Sequence, residues 1–204
     1  MSFVSVVVGY DFITVMADRR AIETLPNGEY GQILNEQAEK IATPVPQFFY
    51  SIVGNVKLAV DFIENSKMIE RLINKNEMLV SDIEVLAWFK ANELLLHNGK
   101  KFGLAIGGES EDGSMRVFRL DAQRKEFQES SSQPGMVNVI VFPSSKLNQS
   151  LPLKHFYSLL GNSDGSIKSI LNIQEKVNDE IANIDISVNK LKTCCVIKKT
   201  KLIK

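Results

Sequence analysis

Ser2, Asp18, Lys40 and Gly54 have the types and the order that an amide-cleaving site without a histidine base requires. A serine that stands first in its chain can use its own α-amino group as the base that takes the hydroxyl proton. That amine titrates at about pH 8, close enough to neutral to accept it. A lysine beside the serine lowers the pKa of hydroxyl and amine alike through its positive charge. A carboxylate holds that lysine in place. A backbone N–H at a glycine can receive the oxyanion of the tetrahedral intermediate. Such a site needs a residue at the start of one strand, an acid at the end of a second, a lysine entering a third and a glycine ending a fourth.

The chain supplies those strands. Residues 4–9 and 13–19 are rich in Val and Ile, with Tyr10-Asp11-Phe12 as a tight connection. A polar stretch, 23–39, follows, with Pro26-Asn27-Gly28 as a turn signal. Short strands are expected over 40–43 and 48–53, the second ended by Gly54-Asn55. The period then becomes helical, with Val56, Ala59, Val60, Ile63, Ile69, Leu72 and Ile73 at steps of three and four. Ser81 reads as an N-cap and Glu84 as its capping-box partner, which places a second helix over 82–97, stopped by Asn98-Gly99. Residues 102–107 and 115–121 read as a hairpin, and 126–130 and 137–142 as further strands. Two helices, 153–160 and 166–184, precede a last strand at 194–199. Paired helices between antiparallel hairpins predict a layered α+β architecture in one domain, 1–204, and not a doubly wound parallel sheet.

Composition excludes several other chemistries. Lys plus Arg and Asp plus Glu are both 24, so the net charge is zero and no electrostatic footprint for nucleic acid or an anionic membrane is present. The lysines near the C-terminus suit a solvated strand edge. No apolar run approaches the roughly 18 residues of a membrane span, and the N-terminus lacks the pattern of a signal peptide. Cys194 and Cys195 are neighbours on an extended segment and point to opposite faces, so a reducing, cytoplasmic setting is expected. His97 and His155 are far apart, and no zinc, nucleophile-elbow or phosphate-loop motif occurs. Glu109, Glu111 and Asp112 crowd one loop, but their spacing is not that of an EF-hand, and a solvated turn is expected.

The ordered set of four residues resembles the 20S proteasome subunit family, which includes the bacterial HslV-type peptidases, within the N-terminal-nucleophile hydrolases. The matching text is "VMADRRA" at 15–21, "EKI" at 39–41, "YSIVG" at 50–54, and "KFGLAIGGESEDGSMRVFRLD" at 101–121 against the family's central hairpin. The resemblance implies a four-layer αββα sandwich with two antiparallel sheets between helix pairs. It implies Asp18 as the acid, Lys40 as the catalytic lysine, Gly54 as the oxyanion-hole glycine and, by spacing from Asp18, Ser2 as the nucleophile once Met1 is removed. It implies a peptide or other amide substrate, no metal or organic cofactor, and a homo-oligomer, in the family usually a ring contacted through helices; ring size and any ATPase partner are not legible.

The chain departs from the family in its second half. Serine stands for the family's threonine. Ser130-Ser131-Ser132-Gln133-Pro134-Gly135 stands for its Gly-Ser-Gly. Its Asp-x-x-Ser-Gly-Gly is absent; counting back from the last strand assigns Asp185 to the aspartate, while Asn189-Lys190 replace the glycines. Each residue also has a plainer reading. Asp18 with Arg19 or Arg20 suits a surface ion-pair cluster, Lys40 a solvated strand start, and Gly54 a strand cap. Three readings follow: a proteasome-like amide hydrolase, a catalytically silent ring or scaffold subunit of the same fold, and an unrelated α+β binding module. The first depends on a free amine at Ser2. Because Ser2 is small, Met1 is expected to be removed in the native host; intact mass and N-terminal sequencing of untagged protein check this, and retention of Met1 would leave no N-terminal nucleophile.

Overall fold

A computed structural model describes residues 3–25, 27, 29–65, 67–74, 79–81, 84–85, 87, 90, 102–121, 126–143 and 147–200. The first strands are β1 (Val4–Gly9), β2 (Phe12–Asp18), β3 (Ala21–Thr24), β4 (Tyr30–Asn35), β5 (Ile41–Val45) and β6 (Phe48–Gly54). Helices α1 (Val56–Asn65) and α2 (Met68–Leu72) lead to β7 (Ile73–Asn74) and β8 (Leu79–Val80). Then come β9 (Phe102–Glu109), β10 (Met115–Asp121), β11 (Glu126–Ser131) and β12 (Val137–Phe142). Helices α3 (Ser150–Leu160) and α4 (Ile167–Ile184) precede β13 (Lys192–Lys198). One sheet has the order β12-β1-β2-β13 and another β11-β10-β9-β6-β5. Of the helix expected over 82–97, Glu84, Val85, Ala87 and Lys90 are helical, and the remainder lies outside the described residues.

The chain divides into two compact units, the first made of residues 1–7, 14–41 and 139–195. Every residue of β1 and β2 is buried, which explains why apolar residues dominate them, interrupted only by Ser5, Gly9, Thr14 and Asp18: neither face of these strands meets water. Helix α4 starts where Ser166 Oγ accepts the Ser169 N–H at 3.2 Å. It buries Ile170, Ile173, Gln174, Val177, Asn178 and Ile181, the three- and four-residue spacing of a single helix face. The two polar members of that face are bonded. Gln174 Nε2 donates to Ser5 O and Ser5 Oγ, both at 3.1 Å, and Asn178 Nδ2 to Asn189 O at 3.0 Å. The polar stretch 23–39 holds a hairpin, β3 against β4, with Ile22 opposite Ile33 and Thr24 opposite Tyr30.

The second unit comprises residues 8–13, 42–138 and 196–204. Strands β6, β9, β10 and β11 pair antiparallel in series. Phe48, Ile52, Leu104, Ile106, Phe118 and Leu120 from this sheet form one cluster with Ala59 and Ile63 of α1. Strand β5 includes Pro44, which an edge position tolerates because no ladder donor is needed there. Asp112 is satisfied within its own turn by Ser114 and by Arg116 at 2.6 Å, and its carboxyl is held down to about 2, chiefly by Ser114. Among the described residues no metal-holding group of three His, Cys, Asp or Glu occurs. At the end of the chain Lys199 N donates to Asp11 O at 2.8 Å, and Thr200 N to Oε2 of buried Glu109 at 2.7 Å.

Cys194 and Cys195 are both free thiols. Burial, with Cys194 beside it, pushes the Cys195 thiol up to about 11, away from thiolate chemistry. Among the described residues no helix is long and apolar enough to cross a membrane.

Strand β9 passes so close to residue 47 that a Cβ at Gly108 would stand 1.9 Å from the Gln47 carbonyl oxygen. Gly108→Ala is therefore expected to lose about 3 kcal/mol of stability in urea unfolding. Gly161→Ala, where the nearest atom to a Cβ is 3.8 Å away, is expected to stay within about 1 kcal/mol of the parent.

Candidate active site

Asp18 is the last residue of β2 and is fully buried. Its Oδ1 accepts the Phe3 N–H at 2.7 Å and Lys40 Nζ at 2.8 Å, and its Oδ2 accepts the Arg20 N–H at 2.9 Å. The backbone doubles the first link, with Asp18 N donating to Phe3 O at 3.2 Å. Lys40 enters β5 and donates again to Arg20 O at 2.7 Å. Neither member of the pair meets solvent. The surface ion-pair reading of Asp18 and the solvated reading of Lys40 are both overturned: each polar atom here is turned inward and spent on a partner.

Burial pushes the Asp18 carboxyl above its ordinary value, against the pull of Lys40 and of the Phe3 and Arg20 N–H groups. Burial likewise pushes Lys40 below its ordinary value, against Asp18 and with a smaller push in the same direction from the Arg20 charge. A lysine so lowered holds its proton less tightly than a solvated one, the state in which lysines take part in proton transfer.

The side chain of Arg20 turns away from this pair. Its Nε and Nη2 meet Glu36 at 3.0 Å each, and its Nη1 donates to Ile186 O at 2.6 Å. Asn189 completes the bridge. Its Nδ2 donates to Glu36 Oε2 at 2.7 Å and its Oδ1 accepts the Arg19 N–H at 3.0 Å. Arg20, then Asn189, hold the Glu36 carboxyl below its ordinary value. Arg19 itself pairs with Glu39. Asn189 thus ties the segment after α4 to the foot of the β3–β4 hairpin.

Asp185 caps the C-terminus of α4 and is buried. Its Oδ1 accepts the Ser187 N–H at 2.8 Å, and the Tyr30 hydroxyl donates to its Oδ2 at 3.4 Å. The Ser187 hydroxyl is buried and has no hydrogen-bond partner among the described residues.

The structure brings Asp18 and Lys40 into direct contact and places Asp185 in the same unit. Gly54 belongs to the other unit; it ends β6 opposite Phe102 with φ 86, a conformation that requires glycine. Ser2 lies outside the described residues. Arg20, Glu36, Asn189 and Tyr30 were not legible as site residues. Arg20 carried a signal as part of the "ADRRA" text and Asn189 only as a departure from the family's glycines; Tyr30 and Asp185, and Glu36 and Asn189, meet across more than 100 positions.

No family model matches the chain, and no curated protein matches its sequence. Among solved structures, the crystal structure of eukaryotic HslV from Trypanosoma brucei is similar over 96% of this chain and 99% of that chain, with a TM-score of 0.68 at 14% identity. The chain has the HslV fold. Its α+β architecture with antiparallel sheets is that of the proteasome-like N-terminal-nucleophile hydrolase fold. At this identity the likeness to HslV is one of fold, and the chemistry must be argued from the residues.

Removing Lys40 strands a buried carboxylate, so Lys40→Ala is expected to cost about 3–5 kcal/mol. In a cycle of Asp18→Asn and Lys40→Met, the double variant is expected to be at least about 1 kcal/mol more stable than the two single losses imply. Additive losses in urea unfolding would mean that the pair is not coupled.

Proposed function

We propose that the chain is an N-terminal-nucleophile hydrolase of peptides or other amides, with Ser2 as nucleophile after removal of Met1. One observation carries the reading. A single carboxylate oxygen, Asp18 Oδ1, binds both Lys40 Nζ and the Phe3 nitrogen, the atom through which Ser2 joins the chain. The lysine and the nitrogen that follows residue 2 thus share one buried carboxylate, which supports a role for Lys40 beside a nucleophile at Ser2.

In this reading the Ser2 hydroxyl adds to the substrate carbonyl and its proton passes to the Ser2 amine. The charge of Lys40 favours the alkoxide and keeps the amine unprotonated. The Gly54 N–H receives the oxyanion, the amine returns its proton to the leaving nitrogen, and water then hydrolyses the ester. Asp185 supports the amine. No metal or organic cofactor takes part. The whole chain acts as one domain and assembles with copies of itself, through α1 and the helix expected over 82–97. The rival reading, a silent subunit of the same fold, draws on the replacement of the family's Gly-Ser-Gly by residues 130–135.

The test is turnover of fluorogenic peptides by processed, untagged protein. Ser2→Ala is expected to abolish it, and Lys40→Met to lower it by about a hundredfold or more. The rate is expected to rise with pH as the amine loses its proton, with an ordinary value of about 7.7–8.0. It is expected to fall again as Lys40 loses its own, below the ordinary 10.5 because burial lowers it. Processed protein with no Ser2-dependent turnover would leave the silent subunit.

A further inference from the structure

The geometry points to Tyr30 as a positioning residue that holds the Asp185 carboxylate through its phenolic hydroxyl. This rests on the proposed reading of Asp185 as part of the hydrolytic site.

Asp185 is in an electrostatically awkward place. It caps the C-terminal end of an 18-residue helix, with its own N–H donating to Ile181 O at 2.9 Å, and its side chain is buried. The C-terminal end of a helix carries partial negative charge and favours cations. A carboxylate kept there needs donors on its oxygens. The Ser187 N–H serves Oδ1, and the Tyr30 hydroxyl, at 3.4 Å, reaches Oδ2. The distance is long for such a bond, and bonds of this kind often shorten when substrate arrives.

Tyr30 does not reach Asp185 by a loose side chain. It starts β4 directly after a tight turn, in which Asn27 Oδ1 accepts the Glu29 N–H at 3.0 Å and Leu25 N donates to Glu29 O at 2.9 Å. It sits opposite Thr24 in the hairpin and is half-buried, while Gln32, Ile33, Leu34 and Asn35 of the same strand are exposed. Just past the other end of β4, Glu36 is clamped by Arg20 and Asn189. The hairpin is thus fixed at its foot by one set of polar contacts and delivers a hydroxyl at its head. Asp185 is oriented from both sides: by Tyr30 at its side chain and by Arg20 at the carbonyl of the next residue, Ile186.

The test is a cycle of Tyr30→Phe and Asp185→Asn in the full chain, processed at its N-terminus. Tyr30→Phe is expected to lower kcat by about 3- to 10-fold, the worth of one hydrogen bond, with KM unchanged. Added to Asp185→Asn it is expected to lower kcat no further. Tyr157→Phe, at an exposed tyrosine of α3, is expected to change neither constant. Independent, multiplicative losses in the cycle, or a change confined to KM, would overturn the assignment. If the chain shows no Ser2-dependent turnover, the proposed function fails but this inference is still decided. The same cycle is then read in urea midpoints, where a non-additive pair supports the Tyr30–Asp185 bond and additive shifts overturn it.

Discussion

Taking a carboxylate and an ammonium out of water costs several kcal/mol for each, and little but the two charges themselves can offset it. Asp18 and Lys40 are both fully inside, so neither is tolerable without the other. That constraint organises the chain around it. Lys40 is brought back to the end of β2 by the intervening 21 residues, whatever those residues do on the way. Asp18 has lone pairs beyond those that Lys40 uses, and these draw in the N–H groups of Phe3 and Arg20. The N-terminal segment, the end of β2 and the start of β5 are therefore one polar knot in an otherwise apolar region. Replacing such a pair by hydrophobic residues is often no worse for stability, whereas removing one partner alone is costly.

The parts of the fold that were readable are those in which burial and sequence period agree. The Val- and Ile-rich runs of β1 and β2 leave no doubt, because both strands are inside on both faces. The stop at Gly161 to Gly165 and the Ser166 cap mark the start of α4, and its apolar face repeats at the helical period. The β3–β4 hairpin was not readable. Its turn signal was present at Pro26-Asn27-Gly28, but Glu23, Thr24 and Gln32 to Asn35 face water, and a hairpin that buries little beyond Ile22 shows no alternation. Strand β5 shows the opposite effect: Pro44 argues against a strand unless the strand is known to lie at an edge.

The site divides in the same way. Asp18, Lys40 and Gly54 stood out in the sequence because each falls at an element boundary; the structure joins Asp18 to Lys40 and shows Gly54 as the end of β6 in the other unit. Asp185 was reachable only by counting from β13. Its neighbours carried no local signal, since Tyr30, Glu36 and Asn189 look like ordinary polar surface in sequence. They acquire a role only because the segment after α4 returns to the hairpin. Such contacts are a property of the tertiary fold, which a reading of periods and caps does not reach.

The residues just past β13 have a practical meaning. Thr200 gives its amide hydrogen to Glu109, a buried carboxylate at the end of β9. A chain trimmed to the end of β13 would keep every described strand and still leave that acid without this donor. The C-terminus is thus less expendable than its lysine-rich text suggests. An affinity handle at this end of the protein is best separated from Thr200 by residues 201–204, which leaves the Glu109 clasp untouched.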